Sequence, residues 1–80
     1  MKELSNIKKL TLQLLGNGIK LIETNQQNKS IIVETNFKVE KNTCEKIYDY
    51  FMKNLYLVSV ENNKNTITIT YKGKQAMLFQ

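Results

Sequence analysis

The residue types that perform most enzymatic chemistry are scarce in this sequence. Its 80 residues contain no histidine and one cysteine, which excludes the Ser-His and Cys-His pairs that use histidine as a base. Cys44 lies at helical spacing on an apolar stripe, and this favours a small buried hydrophobic residue over a reactive thiol. Structural zinc needs several Cys or His ligands. We therefore expect no metal ion and no cofactor.

Acid–base catalysis without histidine would need paired carboxylates. We predict that Glu23 and Glu34 fall on opposite faces of one hairpin, and a chain of this length leaves little interior for a substrate pocket. Gly16 and Gly18 lack the following lysine of a phosphate-binding loop. The sequence therefore predicts that the chain is not an enzyme. The candidate carboxylates are Glu23, Glu34, Glu40, Glu45, Asp49 and Glu61.

The strongest binding candidate is a tyrosine flanked by two lysines on one predicted helix. Tyr50 stands between Lys46 and Lys53 at spacings that bring the three side chains together on a helical surface. An aromatic anchor with a basic rim suits an acidic protein surface, and it suits equally a nucleic-acid backbone with a stacked base. We predict that these three residues bind the partner.

Apolar residues near the end of the sequence are the second binding candidate. Residues 75–80 include Met77 and Phe79, which either cover a sheet edge as a further strand or pair with another chain. Tyr56 and Tyr71 are expected in the core or at its rim, because they share a face with aliphatic residues. Met77 and Phe79 therefore complete the predicted partner-binding set.

Composition restricts the class of protein. The length supports one domain over residues 1–80, and 41% apolar with 24% charged residues is typical of a folded globular chain. No apolar run reaches the roughly 18 residues of a membrane span, and the first residues lack the apolar stretch of a signal peptide. A single cysteine fits a reducing compartment. We expect a cytoplasmic protein that has no membrane partner.

The net charge of +5 arises from 12 lysines and seven acids, with no arginine. An AT-rich coding sequence would raise the lysine content without any partner, so the charge alone does not indicate nucleic-acid binding. The absence of arginine removes the planar donor that proteins favour for clamping phosphate. Nonspecific attraction between lysine and phosphate remains.

The clearest element is an amphipathic helix over residues 43–55. Asn42 is its predicted N-cap, with Glu45 three positions later as in a capping box. The apolar residues recur every three or four positions, which is typical of one buried helical face. This stripe consists of Cys44, Ile47, Tyr48, Phe51 and Leu55.

A hairpin is predicted before this helix, with strands 19–24 and 30–39 joined by residues 25–28. A symmetric register places Ile19 and Leu21 on the apolar face. The same register sets Lys20 opposite Glu34, which is a favourable cross-strand charge pair.

A second hairpin is predicted after the helix, with strands 56–61 and 66–72 joined by residues 62–65. A symmetric turn sets Val60 opposite Ile67, Val58 opposite Ile69 and Tyr56 opposite Tyr71. Ser59, Thr68 and Thr70 then fall on the other face of the sheet.

Residues 3–15 fit two structures. Leu4, Ile7, Leu10 and Leu14 recur as in a helix that stops at Gly16, but Leu10, Leu12 and Leu14 also alternate as in a strand. The predicted fold is therefore α+β, a small antiparallel sheet of two hairpins packed by one or two helices. Its order is αββαββ, or βββαββ if residues 3–15 are a strand.

These features together predict a small non-catalytic binding module. Its most favoured partner is another protein with an acidic surface, and an inhibitor or adaptor encoded by a phage or other mobile element would act in this way. One alternative is a sequence-indifferent nucleic-acid binder that uses surface lysines. A homodimeric structural protein is another.

Overall fold

The structure is a computed structural model, and it describes residues 2–74. The predicted α+β class is confirmed, because two helices and a four-stranded antiparallel sheet make up this part of the chain. Neither helix is long and apolar enough to cross a membrane. The elements are α1 (Lys2–Leu15), a 3-10 turn (Gly16–Gly18), β1 (Ile19–Asn25), β2 (Ser30–Thr35), α2 (Lys41–Lys53), β3 (Tyr56–Asn63) and β4 (Thr66–Lys74).

The ambiguous first segment is a helix, because burial follows the helical spacing and not the alternation. Leu4, Ile7 and Thr11 are buried on one side of α1, whereas Leu12 is 43% exposed. The Thr11 hydroxyl donates a hydrogen bond to the carbonyl oxygen of Ile7 at 2.8 Å, so its burial leaves no unsatisfied donor. The first element is therefore α, and the element order is αββαββ.

The strands pair in the order β1-β2-β4-β3, and both helices pack on one face of the sheet. Because β2 and β4 are the inner strands, their side chains on this face are covered from all sides. Ile32, which points to the other face of β2, is 38% exposed. The most deeply buried apolar residues are Leu4, Ile7, Ile31, Val33, Ile47, Phe51, Ile67 and Ile69.

The hairpin of β1 and β2 contains a bulge that the sequence did not reveal. The register shifts between Ile19 and Leu21, which makes Lys20 the extra residue. The predicted ion pair is confirmed, since Lys20 Nζ lies 3.5 Å from Glu34 Oε1. The register from which it was predicted was wrong, because Leu21 and not Lys20 lies directly opposite Glu34. The prediction for Leu21 was wrong: it is 50% exposed, and Ile22 packs against the core in its place.

The regular pairing between this bulge and the turn sets the relation of two acidic residues. Glu23 pairs with Ile32, and Leu21 pairs with Glu34. Directly paired residues share a face of the sheet, so Glu23 and Glu34 lie on the same face. The prediction that they lie on opposite faces was therefore wrong. β2 also ends at Thr35, short of the predicted position 39.

The hairpin of β3 and β4 has a tighter turn than predicted. Pairing continues to Asn63 and Thr66, so the turn consists of residues 64 and 65. Lys64 adopts a left-handed φ of 57°, a conformation that tight hairpin turns require. Val60 consequently lies opposite Ile69, two positions from its predicted partner.

This even shift leaves each side chain on its predicted face. Val58 lies opposite Tyr71, and a further irregularity between Leu57 and Val58 places Tyr56 opposite Lys74 instead of Tyr71. The predicted partners were wrong, because the turn was taken as four residues. The predicted polar face is confirmed, since Ser59 pairs with Thr70 and Glu61 pairs with Thr68 away from the helices.

Helix α2 starts and ends two residues earlier than predicted. Glu40 occupies the N-cap position in an extended conformation with no side-chain cap bond, so the assignment of Asn42 as the cap was wrong. The cause is tertiary: Val39 is buried, and its N–H donates to the carbonyl oxygen of Lys64 at 2.9 Å. Leu55 lies beyond the helix with a left-handed φ of 66° and is 42% exposed, so it is not part of the apolar stripe.

Candidate partner-binding site

The predicted tyrosine–lysine patch lies on α2, but its tyrosine also contacts α1. Lys46 and Lys53 are exposed. Tyr50 is half-buried, and its hydroxyl donates to Gln13 Oε1 of α1 at 3.2 Å. Its ring meets that of Phe51 edge-on at a centroid distance of 6.2 Å. Tyr50 therefore links the two helices, and its role in partner binding stays a prediction.

Tyr56 and Tyr71 lie at the rim of the core, as the sequence predicts. Both are half-buried against the core cluster, and their rings meet at 65° with centroids 6.1 Å apart. The Tyr56 hydroxyl accepts a hydrogen bond from Asn6 Nδ2 at 2.9 Å. Met77 and Phe79, the other predicted partner-binding residues, lie outside the described residues.

Cys44 is half-buried on α2, less covered than the sequence predicts. Burial raises the pKa of its thiol, and the adjacent Glu45 carboxylate raises it further. A thiol with a raised pKa is less ionised near neutral pH, and the thiolate is the nucleophile. Among residues 2–74, no three His, Cys, Asp or Glu side chains are grouped so that they could hold a metal ion.

A different cluster forms where three segments meet at one end of the sheet. These segments are the 3-10 turn before β1, the residues that follow β2, and the turn between β3 and β4. Beside this junction lies a shallow depression of about 700 Å³ around Phe37, which we call the Phe37 site. Its lining residues are Lys20, Thr35, Asn36, Phe37, Lys38, Lys64 and Asn65.

Hydrogen bonds hold the three segments of the Phe37 site together. The N–H of buried Thr35 donates to the carbonyl oxygen of Asn65 at 2.8 Å, and Asn65 Nδ2 donates back to the carbonyl oxygen of Thr35 at 3.1 Å. Thr35 Oγ1 donates to the carbonyl oxygen of Phe37 at 2.6 Å. On the other side, the Asn36 N–H donates to the carbonyl oxygen of Gly18 at 2.9 Å. These bonds connect the segment that carries Phe37 to both of its neighbours.

The Phe37 ring rests on the backbone of Gly18. A Cβ atom at residue 18 would lie 2.5 Å from Cε1 of the ring, so a larger residue there would push the ring out of this position. The ring is nevertheless 36% exposed. One side of the aromatic ring is therefore held by the chain, while the other faces solvent.

Three lysines surround this ring. Lys20, Lys38 and Lys64 are all exposed, and no acidic side chain lines the depression. The nearby Glu34 forms the ion pair with Lys20. The resulting site combines a fixed aromatic side chain with a positively charged rim.

Sequence reasoning missed Phe37 because residues 30–39 were predicted as one strand. Asn36 directly after Thr35 is a turn signal, and it was the available indication that the strand ends there. The contact between Phe37 and Gly18 joins segments on either side of a hairpin. It depends on the register of β1 and β2, which the bulge at Lys20 alters.

No family model, no curated protein and no solved structure matches the chain. The function proposed below therefore rests on the geometry of the described residues.

Proposed function

We propose that this chain is a small non-catalytic binding module that recognises an acidic segment of another protein. The observation that carries the proposal is the Phe37 ring, which lies against Gly18 and is 36% exposed. Aromatic side chains in such positions supply most of the binding energy in protein interfaces. Lysines around them accelerate association and select partners of opposite charge.

The charge distribution favours a protein segment over a nucleic acid. A nucleic-acid backbone needs a continuous basic track, usually with several stacking aromatics. Here Lys20 is paired with Glu34, and Glu23, Glu34 and Glu61 share the open face of the sheet. A short acidic peptide fits within the basic rim, whereas a longer polyphosphate chain would meet these carboxylates.

The proposed mode of action is occlusion of the partner's surface, as an inhibitor or adaptor works. We also propose that the chain acts in the cytoplasm. A single cysteine in 80 residues is consistent with a reducing compartment. An inhibitor or adaptor of this kind would be of the type that a phage or other mobile element encodes.

The proposal is tested by selecting a random peptide library on the full chain, which requires no assumed partner. We expect enrichment of Asp and Glu around an aromatic or aliphatic residue, with affinity that falls as salt rises. Mixed-sequence single-stranded DNA and RNA serve as comparators. If an oligonucleotide binds more tightly than the selected peptides at physiological salt, with a steep salt slope, the nucleic-acid alternative replaces this proposal.

Variants of the chain locate the binding. Phe37→Ala should lower the affinity for the selected peptides about 30-fold, which is equivalent to about 2 kcal/mol for a central aromatic anchor. Lys38→Glu with Lys64→Glu should mainly slow association. The matched control is Lys46→Glu with Lys53→Glu, which makes the same charge change on α2. If this control pair lost binding and the first pair did not, the tyrosine–lysine patch would be the site.

A glycine pair tests whether the position of the ring matters. Gly18→Ala places a methyl group against the Phe37 ring and should displace it, with about a 10-fold loss of affinity. Gly16→Ala is the control, because nothing lies within 4 Å of its Cβ position. Neither glycine has a positive φ, so alanine fits both backbones. Equal affinities of the two variants would show that ring placement is unimportant.

A further inference from the structure

A second binding feature lies between α2 and the outer edge of β3. It is an open groove of about 450 Å³, and the residues from α2 form one stripe along the helix. None of its lining residues belongs to the Phe37 site. The groove is lined by Lys41, Cys44, Glu45, Tyr48, Asp49, Val60 and Asn62.

The β3 edge that borders this groove is an outer edge of the sheet formed by residues 2–74. β3 is an outer strand whose partner is β4, and no other backbone segment within residues 2–74 pairs with its outer side. The other outer strand, β1, is interrupted by a bulge at Lys20, and such devices block pairing with further chains. From Val58 to Asn63 the pairing of β3 with β4 is regular, and Glu61 is the charged residue of the strand. The edge of β3 is therefore the one suited to accept another strand.

The side chains along the groove provide apolar contacts and negative charge. Cys44 and Val60 are half-buried, and Tyr48 is 38% exposed. Glu45 and Asp49 stand along the same side of α2, with Lys41 as the opposing charge. Burial and the Glu45 carboxylate raise the pKa of Cys44, which agrees with a thiol that lies in partly apolar surroundings beside a carboxylate.

We propose that this groove binds an extended segment of a partner protein, which adds to the sheet as a further strand beside β3. Main-chain hydrogen bonds to an open edge supply affinity in this mode, and alternate side chains supply specificity. Apolar side chains of the segment pack on Cys44, Tyr48 and Val60. Basic side chains pair with Glu45 and Asp49, so the segment is basic. The groove and the Phe37 site thus select partners of opposite charge.

The probe for this groove is a capped peptide of about seven residues, long enough to span the regular part of β3. Every second residue of the added strand faces α2, so these positions are alternately valine and lysine, with threonine between them. On adding it to the full chain, we expect slower hydrogen exchange at alternate amides of residues 58–62. We also expect slower alkylation of Cys44 by iodoacetamide. A peptide with the same side chains but N-methylated at alternate amides should bind at least 10-fold more weakly, because it cannot complete the strand pairing.

Three variants locate the peptide in the groove. Glu45→Lys with Asp49→Lys should weaken binding at least 10-fold, and Tyr48→Ala, at an exposed position that does not hold the core, should weaken it about 10-fold. The matched control is Glu23→Lys, an acid-to-lysine change on exposed β1, which should bind as the natural chain does. Circular dichroism establishes that each variant is folded.

Several outcomes would overturn the proposal. These are absence of binding, binding that tolerates N-methylation, and protection that appears on β1. Protection of the β3 amides before any peptide is added would show that the chain itself covers the edge, and protection that grows with protein concentration would assign the edge to a second copy. The probe is basic and the variants lie outside the Phe37 site, so these outcomes leave the proposed function unaffected.

Discussion

At the scale of single residues, Thr35 holds the Phe37 site together. It is fully buried, although it is polar, and it joins β2 both to the β3–β4 turn and to the segment that carries Phe37. Its Oγ1 also lies 3.0 Å from the carbonyl oxygen of Asn65. A buried hydroxyl is tolerated only when such partners satisfy it.

Thr35→Val should lower the free energy of unfolding by about 1–2 kcal/mol, because valine keeps the shape of the side chain while the part-buried carbonyl oxygen of Phe37 loses its donor. Urea denaturation measures this difference. Thr68→Val is the matched control, since Thr68 lies half-buried on the open face of the sheet, and its effect should stay within about 0.5 kcal/mol. Equal midpoints for the two variants would argue against the hydrogen bond to Phe37.

At the scale of elements, α2 begins with an unfavourable N-cap residue. Glu40 has the extended conformation of a cap, but its side chain makes no cap bond. The shorter Asp side chain is among the best caps, since its carboxylate reaches the free amides of the first turn. The helix therefore starts where Val39 is anchored, and local capping preference does not decide its start.

Glu40→Asp should raise the free energy of unfolding by about 0.5–1 kcal/mol, because the change keeps the charge and adds a cap bond. Thermal or urea denaturation provides the measurement. Glu45→Asp is the control, because it makes the same change inside α2. It should lower the free energy of unfolding slightly, since Asp has a lower helix propensity than Glu. If Asn42→Ala cost about 1 kcal/mol and Glu40→Asp had no effect, the helix would start at the position predicted from sequence.

At the scale of the whole molecule, stability depends on both helices covering one face of a small sheet. The free energy of unfolding of an 80-residue domain is small, of the order of 4–12 kcal/mol. Leu4 and Ile7 of α1 and Ile47 and Phe51 of α2 meet in the same core. Neither helix is therefore dispensable.

Ile7→Ala should lower the free energy of unfolding by about 2–5 kcal/mol, because it leaves a cavity beneath α1. The melting temperature should fall accordingly in a calorimetric scan. Leu12→Ala removes an exposed side chain from the same helix, and we expect a change of less than about 0.5 kcal/mol. Similar losses for the two variants would mean that α1 is not docked through Ile7.

The sequence by itself determined the features that repeat locally. The apolar spacing around Ile47 and Phe51 predicted α2, and the alternation around Val58 and Ile69 predicted a hairpin with one buried face. In this hairpin of β3 and β4, each side chain lies on its predicted face although the predicted register was wrong. A shift of two residues changes the partners and leaves the alternation of side chains between the two faces unchanged. The pair of Lys20 and Glu34 was predicted because opposite charges stood on neighbouring strands.

Only the tertiary structure decided the bulge at Lys20, the cap at Glu40, the depression around Phe37 and the groove beside β3. Phe37 forms a site because it meets Gly18 and the turn at Lys64, and the groove exists because α2 lies beside an outer strand. These contacts join segments far apart in the chain, and none of them leaves a periodic signal in the sequence. Their position depends on strand order and register, which are set by packing the whole core at once.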